Sequence, residues 1–157
     1  MSGTMLRPIA DRLLDLCEYN AQQIAERWYD DVSTSLRTPS YHSVPAQRAI
    51  LQAVSIYKNL KNLYFAGEPY QAVFQFLKSK RYAELLHDED IPIHEVTYSL
   101  VLMRRQIWLF SNLRAVYSDT AVEMHQALES VNRIVLLFDY IVYILAQFYC
   151  ELDRQEL

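Results

Sequence analysis

The stretch TAVEMHQALESVNRIVLLFDYIVYILAQFYCELDRQEL, residues 120–157, holds neither glycine nor proline and carries apolar residues at helical spacing from end to end. Thr120-Ala121-Val122-Glu123 opens it as a capping box, with Thr120 as N-cap and Glu123 reaching back. A helix of about 35 residues follows, roughly 50 Å long at about 1.5 Å per residue, longer than a domain of this size is wide. Leu128, Val131, Val135, Phe138, Val142, Leu145, Tyr149 and Leu152 keep a three-and-four spacing along it. Leu136, Leu137, Ile141, Ile144 and Phe148 form a second apolar face. Two apolar faces need two partners, the helix's own bundle and a second copy of the chain, because a large bare apolar patch is uncommon on a soluble monomer. Leu128, Val131, Val135, Phe138, Val142, Leu145 and Tyr149 are thus the expected interface of a two-fold homodimer. Burial of both faces within one subunit is the alternative.

The rest of the chain agrees with a helical class. Its 157 residues suffice for one core, so a single domain spanning 1–157 is expected. Only 2 Gly and 5 Pro are present, too few for the frequent turns of a strand protein. Gly3 and Gly67 cannot build a phosphate-cradling loop, which excludes a P-loop and a Rossmann fingerprint. The fold class is therefore all-α, a bundle of about five to six helices with a long C-terminal helix.

The first helix is expected from about Pro8 to Leu36, on a stripe of Ile9, Leu13, Leu16, Cys17, Ile24, Trp28, Val32 and Leu36. It stops before Thr38-Pro39-Ser40-Tyr41-His42-Ser43, a loop that Tyr41 should order by packing inward. The second starts near Val44-Pro45 with Ser43 as N-cap, carries Ile50, Leu51, Val54, Tyr57, Leu60 and Tyr64, and is stopped by Gly67. The third starts at Pro69 and is bent or split near Lys78 to Arg81. The fourth runs from Ile91-Pro92 to about Val116 on Val96, Leu100, Met103 and Ile107.

A net charge of −4 and a pI near 5.5 are opposite to what a phosphate backbone selects, so no nucleic-acid partner is expected. Cys17 and Cys150 have no C-x-x-C spacing and suit a reducing, cytoplasmic setting. No membrane span is expected, because Asp139 and Gln147 interrupt the most apolar segment.

Chemistry leaves little trace. The 4 histidines are His42, His87, His94 and His125, and no pair has metal-ligand spacing, so no metal site is expected. No nucleophile-base arrangement is legible and Glu89 and Asp90 fall in an acidic loop, so the chain reads as non-catalytic. His94-Glu95-Val96 with Leu100 echoes the phospho-acceptor box of histidine kinases without the basic residue and proline that follow it there. A haem-binding globin is the alternative, with His87, His94 or His125 as axial ligand. The 12 Tyr, 6 Phe and 2 Trp pack a core or line a small-molecule pocket, for which Trp28, Tyr57, Tyr98 and Trp108 are the candidates.

Ile24-Ala25-Glu26-Arg27-Trp28-Tyr29, then Ile91-Pro92-Ile93-His94-Glu95-Val96, then Leu100-Val101-Leu102-Met103-Arg104-Arg105-Gln106-Ile107-Trp108 follow one another across about residues 10 to 150. In this order they resemble the N-terminal sensor domain of RsbR/RsbRD-type stressosome regulators, which is related to input domains of bacterial histidine kinases. The resemblance implies a globin-like helical domain without haem. It also implies homodimerisation and a signal relayed through the C-terminal helix to a kinase, a STAS domain or another output partner. The Tyr-rich last helix and the acidic loop before Pro92 depart from that pattern.

Overall fold

The computed structural model describes residues 2–111 and 121–157, with side chains over 11–111, 121–122 and 124–157. The chain is all-α: α1 (Ser2–Tyr19), α2 (Ala21–Val32), a 3-10 turn (Pro39–Ser43), α3 (Ala46–Tyr64), α4 (Pro69–Lys80), α5 (Tyr82–Asp88), α6 (Ile93–Ser111) and α7 (Ala121–Gln155). No strand occurs among the described residues. Thr120 and the Glu123 side chain of the expected capping box lie outside them.

Two breaks raise the helix number above the five or six expected. The first falls at Asn20, whose Nδ2 donates to the Leu16 carbonyl at 2.9 Å while its own N–H donates there at 3.0 Å. A side-chain amide competing for a helical carbonyl bends the ladder, so one long periodic segment becomes α1 and α2. Leu36 lies beyond α2 in a turn and is 93% exposed, outside the stripe assigned to it. The second break falls at Arg81, which takes a left-handed conformation (φ 57°) between α4 and α5. Its N–H closes on Leu77 O at 3.1 Å. The basic stretch thus splits the third segment.

The α5–α6 corner is a Schellman motif with an unusual residue. Ile91 N–H donates to Leu86 O at 3.2 Å and Asp90 N–H to His87 O at 3.0 Å, with Asp90 at φ 60° where glycine is usual. Ile91, 2% exposed, supplies the apolar contact that accompanies such an ending.

At the start of α3 the expectation is corrected. Pro45 is the N-cap, no side chain caps it, and Ser43 Oγ donates back to Ser40 O at 3.4 Å. The buried stripe is Ala49, Ala53, Ile56, Tyr57, Leu60, Leu63 and Tyr64, and Leu51 faces outward. The loop before it forms as expected: Tyr41 is buried in the 3-10 turn, with Ser40 held by the buried Glu95 through its N–H at 2.8 Å and its hydroxyl at 2.6 Å.

α7 packs against α1, α3, α4, α5 and α6. On its inner side Ala127, Ser130, Ile134, Leu137, Phe138, Ile141, Ile144, Leu145 and Tyr149 are buried. Each large apolar side chain removed from water there is worth about 1.5–3 kcal/mol. By length and composition Met124–Gln155 is also apolar enough to cross a membrane, with a mean hydropathy of 1.6, and 39% of the window that qualifies is buried in the fold.

Candidate functional site

Two features stand out, an internal cavity and the outer face of α7. The cavity follows from the aromatics of α2 and the 3-10 turn meeting α6. Trp28 Nε1 donates to Ser99 O at 2.8 Å, Tyr41 Oη to Ser99 Oγ at 3.0 Å, and Ser99 Oγ to Val96 O at 2.6 Å. Trp28 and Tyr41 meet edge to face, 6.1 Å between centroids. Beside them Tyr82, Leu86, Met103 and Leu145 enclose about 20 Å³, room for a group about the size of one water. Trp28, Tyr41 and Ser99 hydrogen-bond among themselves, so an occupant of this space meets an apolar wall. Burial pushes the Tyr41 hydroxyl well above its usual range, and likewise Tyr57.

Of the four pocket candidates, only Trp28 lines this cavity. Tyr57 is fully buried nearby, its hydroxyl donating to Met103 O at 2.7 Å. Tyr98 is half-buried under the Arg37 guanidinium, 5.6 Å from its ring, and Trp108 is half-buried. Helical spacing placed these aromatics on helices but could not say which would converge. Tyr41, expected to pack inward, and Ser99, which no sequence pattern marked, tie the turn and α2 to α6.

None of the three histidine candidates lines the cavity. His94 is exposed in the first turn of α6, and His125 is exposed beside Glu129, 3.3 Å away. His87 faces carboxylates: Nε2 is 2.8 Å from Asp153 Oδ1 and Nδ1 3.6 Å from Glu156 Oε1. His87 and Asp153 are 66 residues apart, so no spacing in the sequence links them. The corner beside it is tied down too. Glu89, expected to be exposed, is half-buried against Arg48 at 2.5 Å, and Tyr149 Oη donates to Ile91 O at 2.9 Å.

The expected dimer stripe divides in two. Leu128 is 57% exposed and Val131, Val135 and Val142 are half-buried, whereas Phe138, Leu145 and Tyr149 lie in the subunit's own core. The reason is geometric. These positions repeat every seven residues, and on a straight helix such a repeat drifts about 20° per heptad. Leu128, Val135, Val142 and Tyr149 therefore rotate stepwise from solvent into the core, as do Val131, Phe138 and Leu145. The face left outside is mixed: Met124, Leu128, Leu136 and Tyr143 on α7 are exposed among His125, Asn132, Arg133, Asp139 and Gln147, and Val101 and Leu109 on α6 are exposed beside them. Between the two helices runs a groove of about 430 Å³ lined by Val101, Phe138, Val142 and Tyr143, with Arg104 and Asp139 3.7 Å apart at its edge.

Compared with protein-family profiles, with curated proteins and with solved structures, the chain matches none significantly.

Proposed function

We propose that the chain is a non-catalytic, cytoplasmic sensing module that self-associates through the outer face of α7 and its neighbour α6. It relays a change of packing along α7 to an output domain or partner protein. The observation that carries this reading is the apolar surface exposed on the helix at the centre of the bundle. Exposed Met124, Leu128 and Tyr143, with half-buried Val135 and Val142 between them, leave more apolar surface on this face than its Arg133 and Asp139 cover. α7 touches five other helices, so a shift in any of them against it is felt along its length. The resemblance to the RsbR-type sensor domain supports the same reading through the Trp28, Ile91–Val96 and Leu100–Trp108 segments, which here build the cavity wall and the groove.

The cavity gives the module a place to sense. Only an occupant about the size of one water fits it as it stands, and a larger ligand would act as a signal only by binding a packing arrangement that widens it better than this one. The haem-binding alternative draws no support from the positions of His87, His94 and His125. Native mass spectrometry on protein purified without added cofactor tests both parts at once. A dimer that becomes a monomer in Leu128→Glu or Val135→Glu, with unchanged helical circular dichroism, is the expected result. A wild-type monomer, or variants with unaltered mass, would reject the interface, and a haem-sized adduct would reject the haem-free reading.

A further inference from the structure

We propose that His87 is a proton-operated latch that fastens the last turn of α7 to the α5–α6 corner. The ring is only 15% exposed and both of its nitrogens face carboxylates, Nε2 toward Asp153 at 2.8 Å and Nδ1 toward Glu156 at 3.6 Å. Asp153 stands in the last turn of α7, and Glu156 three residues on, in the turn that follows the helix, with its N–H on Leu152 O at 3.3 Å. An imidazolium donates to Asp153 from Nε2 and sets its positive charge, with a second N–H, 3.6 Å from the Glu156 carboxylate. A neutral ring offers one donor and turns a lone pair toward the other carboxylate, so one of the two ties is lost and becomes a repulsion.

The histidine side of the latch is fixed. The His87 carbonyl accepts the Asp90 N–H at 3.0 Å, the Leu86 carbonyl accepts the Ile91 N–H at 3.2 Å, and Tyr149 holds Ile91 O at 2.9 Å. The Tyr149 ring also meets the imidazole edge to face, 5.3 Å between centroids. What can let go is the last turn of α7 with the turn just after it, where the Asp153 and Glu156 side chains are mostly exposed.

The charges around the ring favour the proton. From α7 comes Asp153, from the turn just after it Glu156, and from α5 the adjacent Asp88. Glu89 in the corner is engaged by Arg48 of α3. Lys78 and Arg81 at the end of α4 line a neighbouring groove with Glu84, Asp88 and Glu151. The hydrogen bond that His87 donates to Asp153, and then the negative charge of Glu156, Asp153 and Asp88, hold the His87 proton above the ordinary histidine value against its partial burial. A folded-state value raised above the unfolded one means that the latch is complete below about pH 6.5. It opens as the pH rises through the higher folded value. One ring nitrogen and one oxygen from each carboxylate lie within 4.8 Å of one another, so a divalent ion competes with the proton for this cluster and is one arm of the test.

The test is NMR on the full chain between about pH 5.5 and 8.5, following the His87 ring protons and amide exchange at 150–156 corrected for the intrinsic rate. His87 should titrate above the ordinary value, and protection of the last turn should fall several-fold through that same titration. His87→Gln, which keeps one donor at every pH, should remove the pH dependence. Asp153→Asn with Glu156→Gln should move the His87 titration down toward the ordinary value and does not depend on how His87→Gln folds. The latch is overturned if His87 titrates at or below the ordinary value, or if protection is unchanged across its titration. Equimolar zinc that restores protection where the ring is neutral would also overturn it, in favour of a metal. None of these outcomes depends on self-association.

Discussion

Asp90 shows how much a single backbone angle matters in this fold. At φ 60° it ends α5 in the left-handed conformation, which costs an L-residue roughly 1–2 kcal/mol and glycine almost nothing. Asp90→Gly should therefore stabilise the chain by about 0.5–1 kcal/mol in a urea titration, the gain being reduced by glycine's freer unfolded state. Ser99 works the other way, as a hub that ties Trp28 and Tyr41 to α6. Trp28→Phe removes a buried N–H donor and part of the ring, and should cost about 1–3 kcal/mol by the same measurement. Cys17, buried in the core, has its thiol pushed up to about 12, so it should resist thiol reagents in the native state while exposed Cys150 reacts. Labelling followed by peptide mass spectrometry would show this difference, and fast labelling of Cys17 would contradict its placement.

At the scale of the element, α7 explains why the stripe expected to form an interface divides between surface and core. Three-and-four spacing names a face, but on a straight helix a heptad repeat slides off that face by about 20° per heptad. Over residues 128–149 the slide carries Phe138, Leu145 and Tyr149 from the surface into the core. Phe138→Ala should thus cost about 3–5 kcal/mol of stability while leaving the subunit count unchanged. Leu128→Glu should do the reverse. Elsewhere the α-helical class, the inward Tyr41 and the split near Arg81 were visible in composition, a proline loop and a basic run. The break at Asn20 was hidden because a side chain competing for one carbonyl leaves the apolar period intact on both sides. The start of α3 was misjudged by one cap because Pro45 itself supplies the non-helical entry.

Across the whole molecule, the sequence could name the aromatics but not their meeting place. The cavity depends on α2, the 3-10 turn and α6 converging through contacts 71 and 58 residues apart. The same holds for His87, which reaches Asp153 only because α5 lies along the end of α7. One helix gathers these features: its inner side closes the cavity with Leu145, its last turn meets His87, and its outer side exposes Met124, Leu128, Leu136 and Tyr143. Whether that helix is shared between two subunits is decided by molar mass in solution, measured by light scattering over a range of concentrations for wild type and Leu128→Glu. The account predicts a dimer that the substitution converts to a folded monomer; a wild type that stays monomeric at every concentration would contradict it.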